Sequence, residues 1–414
     1  MTLQVAVVGS GPAGCYTAQA LLKALPGARI TLVERLPVPF GLVRYGVAAD
    51  HQGTKSVTRQ FERVLSHPDV TFVGNVEVGT DVSLEVLRSS FDAVVIATGL
   101  DRDRRLGIPG EELPGVVASG RVTRWANGHP DACPAPPLLG RSAVVIGNGN
   151  VAIDVVRLLA KSPSDFAGSD LPAVVASALA AARIEEIVLV GRRGVDQARF
   201  DPAMVKELTR IGGATFDIPS ISTAAVSPHA VSLRHLGEHQ PRGDRVTVRF
   251  RFGWSPLRIE GDARVEKVVF ADSTGAEHSV ATETVVSAIG FAGPAALVPD
   301  EAPAESGRLD AGLYCVGWAR RGPRGTIPEA RTDARHVAGV VAADLKGRGP
   351  IPGRADPYRC FAALPATDLA GWHAIDRHER ATAADGRVRN KITDRRALLR
   401  LARPHLNHLE GEPA

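Results

Sequence analysis

A chain of 414 residues suits two or three domains, and its 44% hydrophobic and 23% charged residues allow a sizeable core and exclude wholesale disorder. No apolar run approaches ~18 residues, so no membrane-spanning helix is expected; the opening residues enter a strand pattern at once rather than a secretory signal, which points to the cytoplasm. A net charge of +4 permits an acidic partner, while the basic residues form no stripe interleaved with aromatics of the kind that binds nucleic acid.

Residues 3–8 form a short apolar run, the pattern of a buried parallel strand. Gly9-Ser10-Gly11-Pro12-Ala13-Gly14 follows, then helical spacing through Tyr16, Leu21 and Leu25, then a second strand over residues 29–33 that ends at Glu34. A glycine motif set between strand and helix suits a dinucleotide. Gly9 allows the tight turn, Gly11 lets backbone N–H groups approach a pyrophosphate, Gly14 allows helix and strand to pack closely, and the helix N-terminus favours the phosphate. Glu34 stands where a carboxylate accepts hydrogen bonds from the hydroxyls of an unphosphorylated adenosine ribose. Residues 93–99, ending in Thr98-Gly99, form a strand and turn, echoed at residues 285–290. Both mark crossings between domains.

The plan then repeats. Residues 142–146 are a strand, Gly147-Asn148-Gly149-Asn150-Val151-Ala152 a second glycine loop, and residues 153–159 a helix. The closing strand, residues 187–190, ends not in an acid but in Gly191-Arg192-Arg193-Gly194. Paired guanidinium groups bind a 2′-phosphate that an acid would repel, so the second site suits NADP(H). Residues 161–183 are read as an insertion, a loop plus an Ala-rich helix, and the alternating pattern within 220–280 as an antiparallel β excursion. Two dinucleotide sites in one chain imply a nicotinamide and a flavin exchanging a hydride. Cys15, Cys133, Cys315 and Cys360 show neither C-x-x-C nor metal-ligand spacing, which argues against a dithiol, a zinc site and a cysteine-held cluster.

The chain also resembles the adrenodoxin-reductase-like branch of ferredoxin–NADP reductases, flavoproteins of the glutathione-reductase type fold. The shared blocks are Pro39-Phe40-Gly41-Leu42-Val43-Arg44-Tyr45-Gly46-Val47 with Asp50-His51; Ile108-Pro109-Gly110-Glu111; Gly149 to Ala152; Gly191 to Gly194 with Gln197; Gly317-Trp318, Arg321-Gly322-Pro323 and Gly325; and the tail residues Gly371-Trp372, Ile375-Asp376 and Glu379. The resemblance implies an α/β fold of two Rossmann-like domains, three-layer β/β/α in type. The FAD domain (1–103 and 290–414) would be interrupted by an NADPH domain (104–289). It implies that Gly9, Gly11, Pro12, Ala13, Gly14, Glu34, Leu42, Val43, Thr98, Gly99, Trp318, Gly325, Thr326 and Ile327 serve FAD. Gly149, Asn150, Val151, Ala152, Arg192 and Arg193 would serve NADPH, and His51 and Glu207 would sit near the nicotinamide and modulate hydride transfer.

The implied reaction passes a hydride from NADPH to FAD and then single electrons to an acidic ferredoxin or similar carrier, or the reverse. Arg320, Arg321 and Arg324 would steer that carrier. Two alternatives share the fold plan: an FAD- and NADPH-dependent monooxygenase, and a non-catalytic electron-transfer subunit. A disulfide reductase would need a cysteine pair beside the flavin. The chain departs from the family pattern at Ala49, where a Pro before Asp-His is common. It departs again at Arg199-Phe200-Asp201-Pro202, where the family has Ala-Phe-Thr, and at Met204, which replaces a Glu that fixes the adenosine ribose. Arg199 brings a charge with affinity for phosphate. Thr326 to Arg331 departs as well. The oligomeric state is not legible.

Overall fold

A computed structural model describes residues 2–133, 135–238, 243, 245–292, 297–298, 305–351 and 356–403. The chain divides into two compact units, one of residues 1–47, 51–102 and 291–414, the other of residues 48–50 and 103–290. Residues 48–50 pack with the second unit although they stand within the first stretch of sequence. The amide of Asp170 donates to Ala49 O there.

In the first unit, strands β1 (Gln4–Val8), β2 (Arg29–Val33), β3 (Val70–Val73) and β4 (Ala93–Ile96) pair in parallel. Alternation along β1 sends Val5 and Val7 to a core shared with the helices Pro12–Ala24, Thr58–Leu65, Ile327–Arg348 and Leu369–Ala381. Ala6 and Val8 face a second core closed by Val76, Val78, Val82, Leu87, Phe91 and Phe361.

The second unit holds an all-parallel sheet of β5 (Val116–Ala118), β6 (Ser142–Ile146), β7 (Glu186–Gly191), β8 (Ala214–Asp217), β9 (Val246–Phe252) and β13 (Thr284–Ser287), in the order β5-β13-β6-β7-β9-β8. A small antiparallel sheet, β10 (Ser255–Glu260), β11 (Lys267–Ala271) and β12 (Glu277–Ala281), covers one face through Ile259, Val265, Val268 and Phe270. Helices cover the other face, giving β/β/α layers. The antiparallel excursion expected within 220–280 is therefore only these last strands. Residues 246–252 join the main sheet in parallel, beside β7 and β8. Alternation reports which residues face the core and is silent about strand direction. The Ala-rich helix Ala173–Ala182 buries only Val175.

Back in the first unit, β14 (Arg308–Asp310) and β15 (Leu313–Cys315) complete the sheet order β14-β15-β4-β1-β2-β3, with β15 parallel to β4. Register then decides where the loops emerge. Val8 is level with Val33 and Ile96, and Ile96 with Cys315, so the segments after β1, β2, β4 and β15 leave one edge of the sheet. Ile146, Val190 and Ser287 are level in the same way in the second unit. These are the carboxyl ends of parallel strands, where α/β sheets bind ligands. No helix among the described residues is long and apolar enough to cross a membrane.

Candidate functional site

At the first glycine loop, Gly9 takes φ +104° and a Cβ there would lie 2.5 Å from Ala97 O, so the turn against β4 accepts no side chain. Gly14 faces the Gly9 carbonyl closely enough that a Cβ would clash. Gly11 differs. A Cβ on it would meet nothing nearer than Gly41 Cα at 3.9 Å, so what its missing side chain leaves is open space. Gly11 N-caps the helix Pro12–Ala24 with no side-chain cap, and Pro12 at the first turn removes one donor, leaving the other terminal amides for an anion. Ala13 lies against Gly317, where a Cβ would sit 2.6 Å from the Ala13 Cβ.

Glu34 is buried and already holds the loop. Its Oε2 accepts from Ser10 N (2.9 Å) and Ser10 Oγ (2.7 Å), and its Oε1 from Leu36 N (3.1 Å). A carboxylate has about four acceptor sites, so little capacity is left for a ribose. Leu42 is exposed, whereas the Val43 side chain is buried in the core and presents only backbone to a ligand. Both belong to the short helix Gly41–Tyr45, reached through Phe40 at φ +85°. Phe40 N donates to Ser10 O (3.1 Å), which draws this helix against the glycine loop. Thr98 is exposed and Gly99 turns at φ +70° immediately after β4.

After β15, Gly317 carries the chain into the helix Trp318–Arg321, and Trp318 packs on Phe291 with ring centroids 5.7 Å apart. Asp333 is buried; it accepts from Gly317 N (2.6 Å) and Arg320 Nε (3.0 Å), and Arg321 Nε lies 3.4 Å from it. Arg321 reaches Gly325, and its Nε and Nη2 are buried without a hydrogen-bond acceptor among the described residues. Thr326 donates its amide (2.5 Å) and hydroxyl (3.0 Å) to Glu329, capping the helix Ile327–Arg348, so that amide is not free for a cofactor. These hydrogen bonds hold Glu329 below the usual carboxylate range. Ile327 is half-buried against the core. Arg331 lies over the Tyr16 ring at 5.9 Å, which sets the first turns of this helix and of Pro12–Ala24 side by side.

The second loop repeats the geometry. Gly147 takes φ +132° against Ala288 O, while a Cβ on Gly149 would meet nothing within 4 Å. Gly149 N-caps the helix Asn150–Ala160, again with no side-chain cap. Asn150 Oδ1 accepts from Asp201 N (2.6 Å), Val151 is half-buried, and Ala152 is wholly buried, packing where the first loop has Gly14. Asn148 Nδ2 is buried with no hydrogen-bond partner among the described residues. Arg192 and Arg193 follow β7, are exposed, and make no side-chain ion pair or hydrogen bond among the described residues.

Glu207 closes the helix Pro202–Leu208 and lies 3.2 Å from the buried guanidinium of Arg157, which also donates to Asp50 (2.5 Å); Lys161 donates to the same Asp50 oxygen. His51, next in sequence, belongs to the first unit and precedes the short helix Gln52–Lys55. Motif reading missed Ser10, Asn148, Arg157 and Asp333. Only Ser10 and Asn148 carried a signal, by lying inside the glycine loops; Arg157 and Asp333 are distant in sequence from what they hold.

Three of the four thiols, those of Cys15, Cys315 and Cys360, are held well away from the thiolate form. Cys15 is buried and donates to Ser10 O (3.1 Å), and burial followed by the Glu34 charge pushes it well above an ordinary thiol. Burial raises Cys315 to about 11, and also raises Cys360. Among the described residues no cluster of His, Cys, Asp and Glu is arranged to hold a metal.

Residues 3–167 match the pyridine nucleotide-disulphide oxidoreductase family. Over 417 aligned residues the chain is 42% identical to the cindoxin reductase of Citrobacter braakii, covering 96% of this chain and 91% of that protein. It is 34% identical to the NADPH-ferredoxin reductase FprA of Mycobacterium leprae, covering 96% and 98%. The solved structure of Mycobacterium tuberculosis FprA in complex with NADPH superposes with a TM-score of 0.90 at 34% identity, over 97% of this chain and all of that one.

Proposed function

The chain belongs to the adrenodoxin-reductase-like branch of the ferredoxin–NADP reductases, and from that membership we propose that it moves electrons between NADPH and a ferredoxin-type carrier through FAD. The observation that carries this reading is the pair of glycine loops whose middle glycine opens on free space at an uncapped helix N-terminus, one with Glu34 behind it and one with two arginines unpartnered among the described residues. When bound, the nicotinamide and the flavin supply the hydride donor and acceptor that no side chain provides. Gly11, Pro12 and Ala13 would hold the FAD pyrophosphate by backbone and helix dipole, with Gly9 and Gly14 shaping the turn. Glu34 braces that loop through Ser10 and spares at most one acceptor site for the ribose. Leu42, the Val43 backbone, Thr98, Gly99, Trp318, Gly325 and Ile327 would line the rest of the flavin site. There the two Arg321 nitrogens left without an acceptor among the described residues suit electron-rich carbonyl oxygens.

Gly149, Asn150, Val151 and the backbone at Ala152 would take the NADPH pyrophosphate, and Arg192 and Arg193 its 2′-phosphate. Glu207, held by Arg157, and His51 would act near the nicotinamide. The carrier would be acidic. Arg320 is committed to Asp333 and Arg321 has its Nε and Nη2 buried, so Arg324, exposed and unpaired among the described residues, is the better steering charge. The compartment proposed for it is the cytoplasm.

Anaerobic stopped-flow spectroscopy tests the whole. NADPH should bleach the flavin band faster than NADH does, and a [2Fe–2S] ferredoxin should restore it. A colourless protein that takes up no FAD, or equal rates with the two nucleotides, would sink the reading. The ferredoxin step should slow as ionic strength rises, since a Debye length of about 10 Å at 0.1 M falls to about 3 Å at 1 M; a salt-independent rate would remove the acidic-carrier part alone.

A further inference from the structure

We infer that Arg199 is a third phosphate-binding guanidinium, directed to the pyrophosphate of the nucleotide rather than to its 2′-phosphate. The inference rests on the nucleotide reading of the second glycine loop and deepens it. Residues 198–201 run alongside that loop. Arg199 forms a parallel β-bridge with Gly149, its amide donates to Asn148 O (3.0 Å), and Asp201 N donates to Asn150 Oδ1 (2.6 Å). Bridged residues lie about 5 Å apart, so the Arg199 Cα stands next to the glycine that caps the helix Asn150–Ala160. Its neighbours Ala198 and Phe200 are both buried in the core of this unit. In extended backbone, alternate side chains take opposite faces, which sends Arg199 away from the core and into the open beside the loop.

The Arg199 side chain is exposed and has no ion pair or hydrogen bond among the described residues. The nearest acid in sequence, Asp201, is occupied. Its Oδ1 accepts from Ala203 N (2.9 Å) and caps the helix Pro202–Leu208. Arg192 and Arg193 instead follow the end of β7, one strand over, where the adenosine ribose belongs. A free guanidinium beside a helix N-terminus whose middle glycine leaves open space is equipped to grip a diphosphate in fork geometry. Specificity would then be divided. Arg192 and Arg193 would select NADPH over NADH, and Arg199 would tighten both.

Titration calorimetry on the FAD-loaded protein separates the parts with three probes. They are 2′-AMP (2′-phosphate without pyrophosphate), ADP-ribose (pyrophosphate without 2′-phosphate) and NADP+. Arg199→Ala should weaken ADP-ribose and NADP+ about tenfold, the low end for a charge-assisted hydrogen bond, and leave 2′-AMP within about twofold. Arg199→Lys should fall between, keeping the charge and losing the fork. The double variant Arg192→Ala/Arg193→Ala should show the reverse pattern, weakening 2′-AMP and NADP+ and sparing ADP-ribose. Unchanged ADP-ribose binding in Arg199→Ala, or an equal loss with 2′-AMP, overturns the assignment while the nucleotide site stands. A wild-type protein that binds none of the three overturns the nucleotide reading and this inference with it.

Discussion

Gly147 and Gly149 are two residues apart and do opposite work. At Gly147 the backbone sits at φ +132° and a Cβ would strike Ala288 O, so the glycine is required by the fold. At Gly149 the backbone is extended at φ −99° and the space above it is open, so the fold itself places no demand for a glycine there. Gly147→Ala should therefore destabilise the protein by about 2 kcal/mol or more. Gly149→Ala should leave the urea midpoint nearly unchanged while raising the Kd for NADP+ at least about tenfold. Equal stability losses in the two variants would show that the open space above Gly149 serves the chain itself. Glu34 shows the same division. Its place after β2 was legible as an acid facing a ribose, but its commitment to Ser10 and Leu36 was not, because those bonds depend on where the loop folds back.

The helix Leu369–Ala381 explains why the tail carries its motif. Trp372, Ile375 and Glu379 recur at helical spacing and form its buried face, and Gly371 lets the helix approach Ala402. Glu379 is fully buried and takes Arg44 at 2.5 Å and Arg389 at 3.1 Å, while Arg44 also lies over the rings of Tyr45 and Trp372. That pair ties the tail to the helix Gly41–Tyr45, which carries Leu42. Removing one partner leaves a buried guanidinium uncompensated, so Glu379→Ala should cost about 3–5 kcal/mol by urea denaturation and lower the FAD content as purified. Retention of both would mean that the element is held by packing alone.

Asp376, on the same helix, adds a pH dependence. Burial pushes its carboxyl up, but the hydrogen bond from Arg380 and the charge of Arg389 outweigh burial and hold it below the usual range. A depressed folded value stabilises above the unfolded pKa of about 3.9 and loses that stabilisation as pH falls through the folded value. Thermal midpoints should thus drop as pH falls below about 4, and Asp376→Asn should flatten part of that fall. An identical acid limb in the variant would exclude Asp376 as a contributor.

Across the whole chain, one plan is used twice, strand, glycine loop, helix, strand, and the chemistry differs only in what ends the second strand. Nothing in that plan calls for a thiol. Cys15 and Cys315 are buried with raised pKa values and so hold almost no thiolate at neutral pH, whereas Cys133 is exposed. Mild alkylation at pH 7.5 should label Cys133 and leave NADPH-to-ferredoxin turnover intact. Inactivation would reinstate the dithiol chemistry of the wider pyridine nucleotide-disulphide group to which residues 3–167 are similar.

What the sequence alone determined is local. A short apolar run, three glycines and a helical period specify a strand–loop–helix within some twenty residues, and the residue type that ends the next strand, an acid in one and paired arginines in the other, sets the two apart. Only the tertiary structure decided which distant segments close on those loops. It placed Gly41 against Gly11, Gly317 against Ala13, Asp333 beneath Gly317, Arg157 between Asp50 and Glu207, and Arg199 beside Gly149. It also turned residues 246–252 into a parallel strand where alternation alone left the direction open. The reason is physical: spacing encodes which face a residue takes, while its partner across the sheet is set by register and crossover, and these are properties of the assembled core.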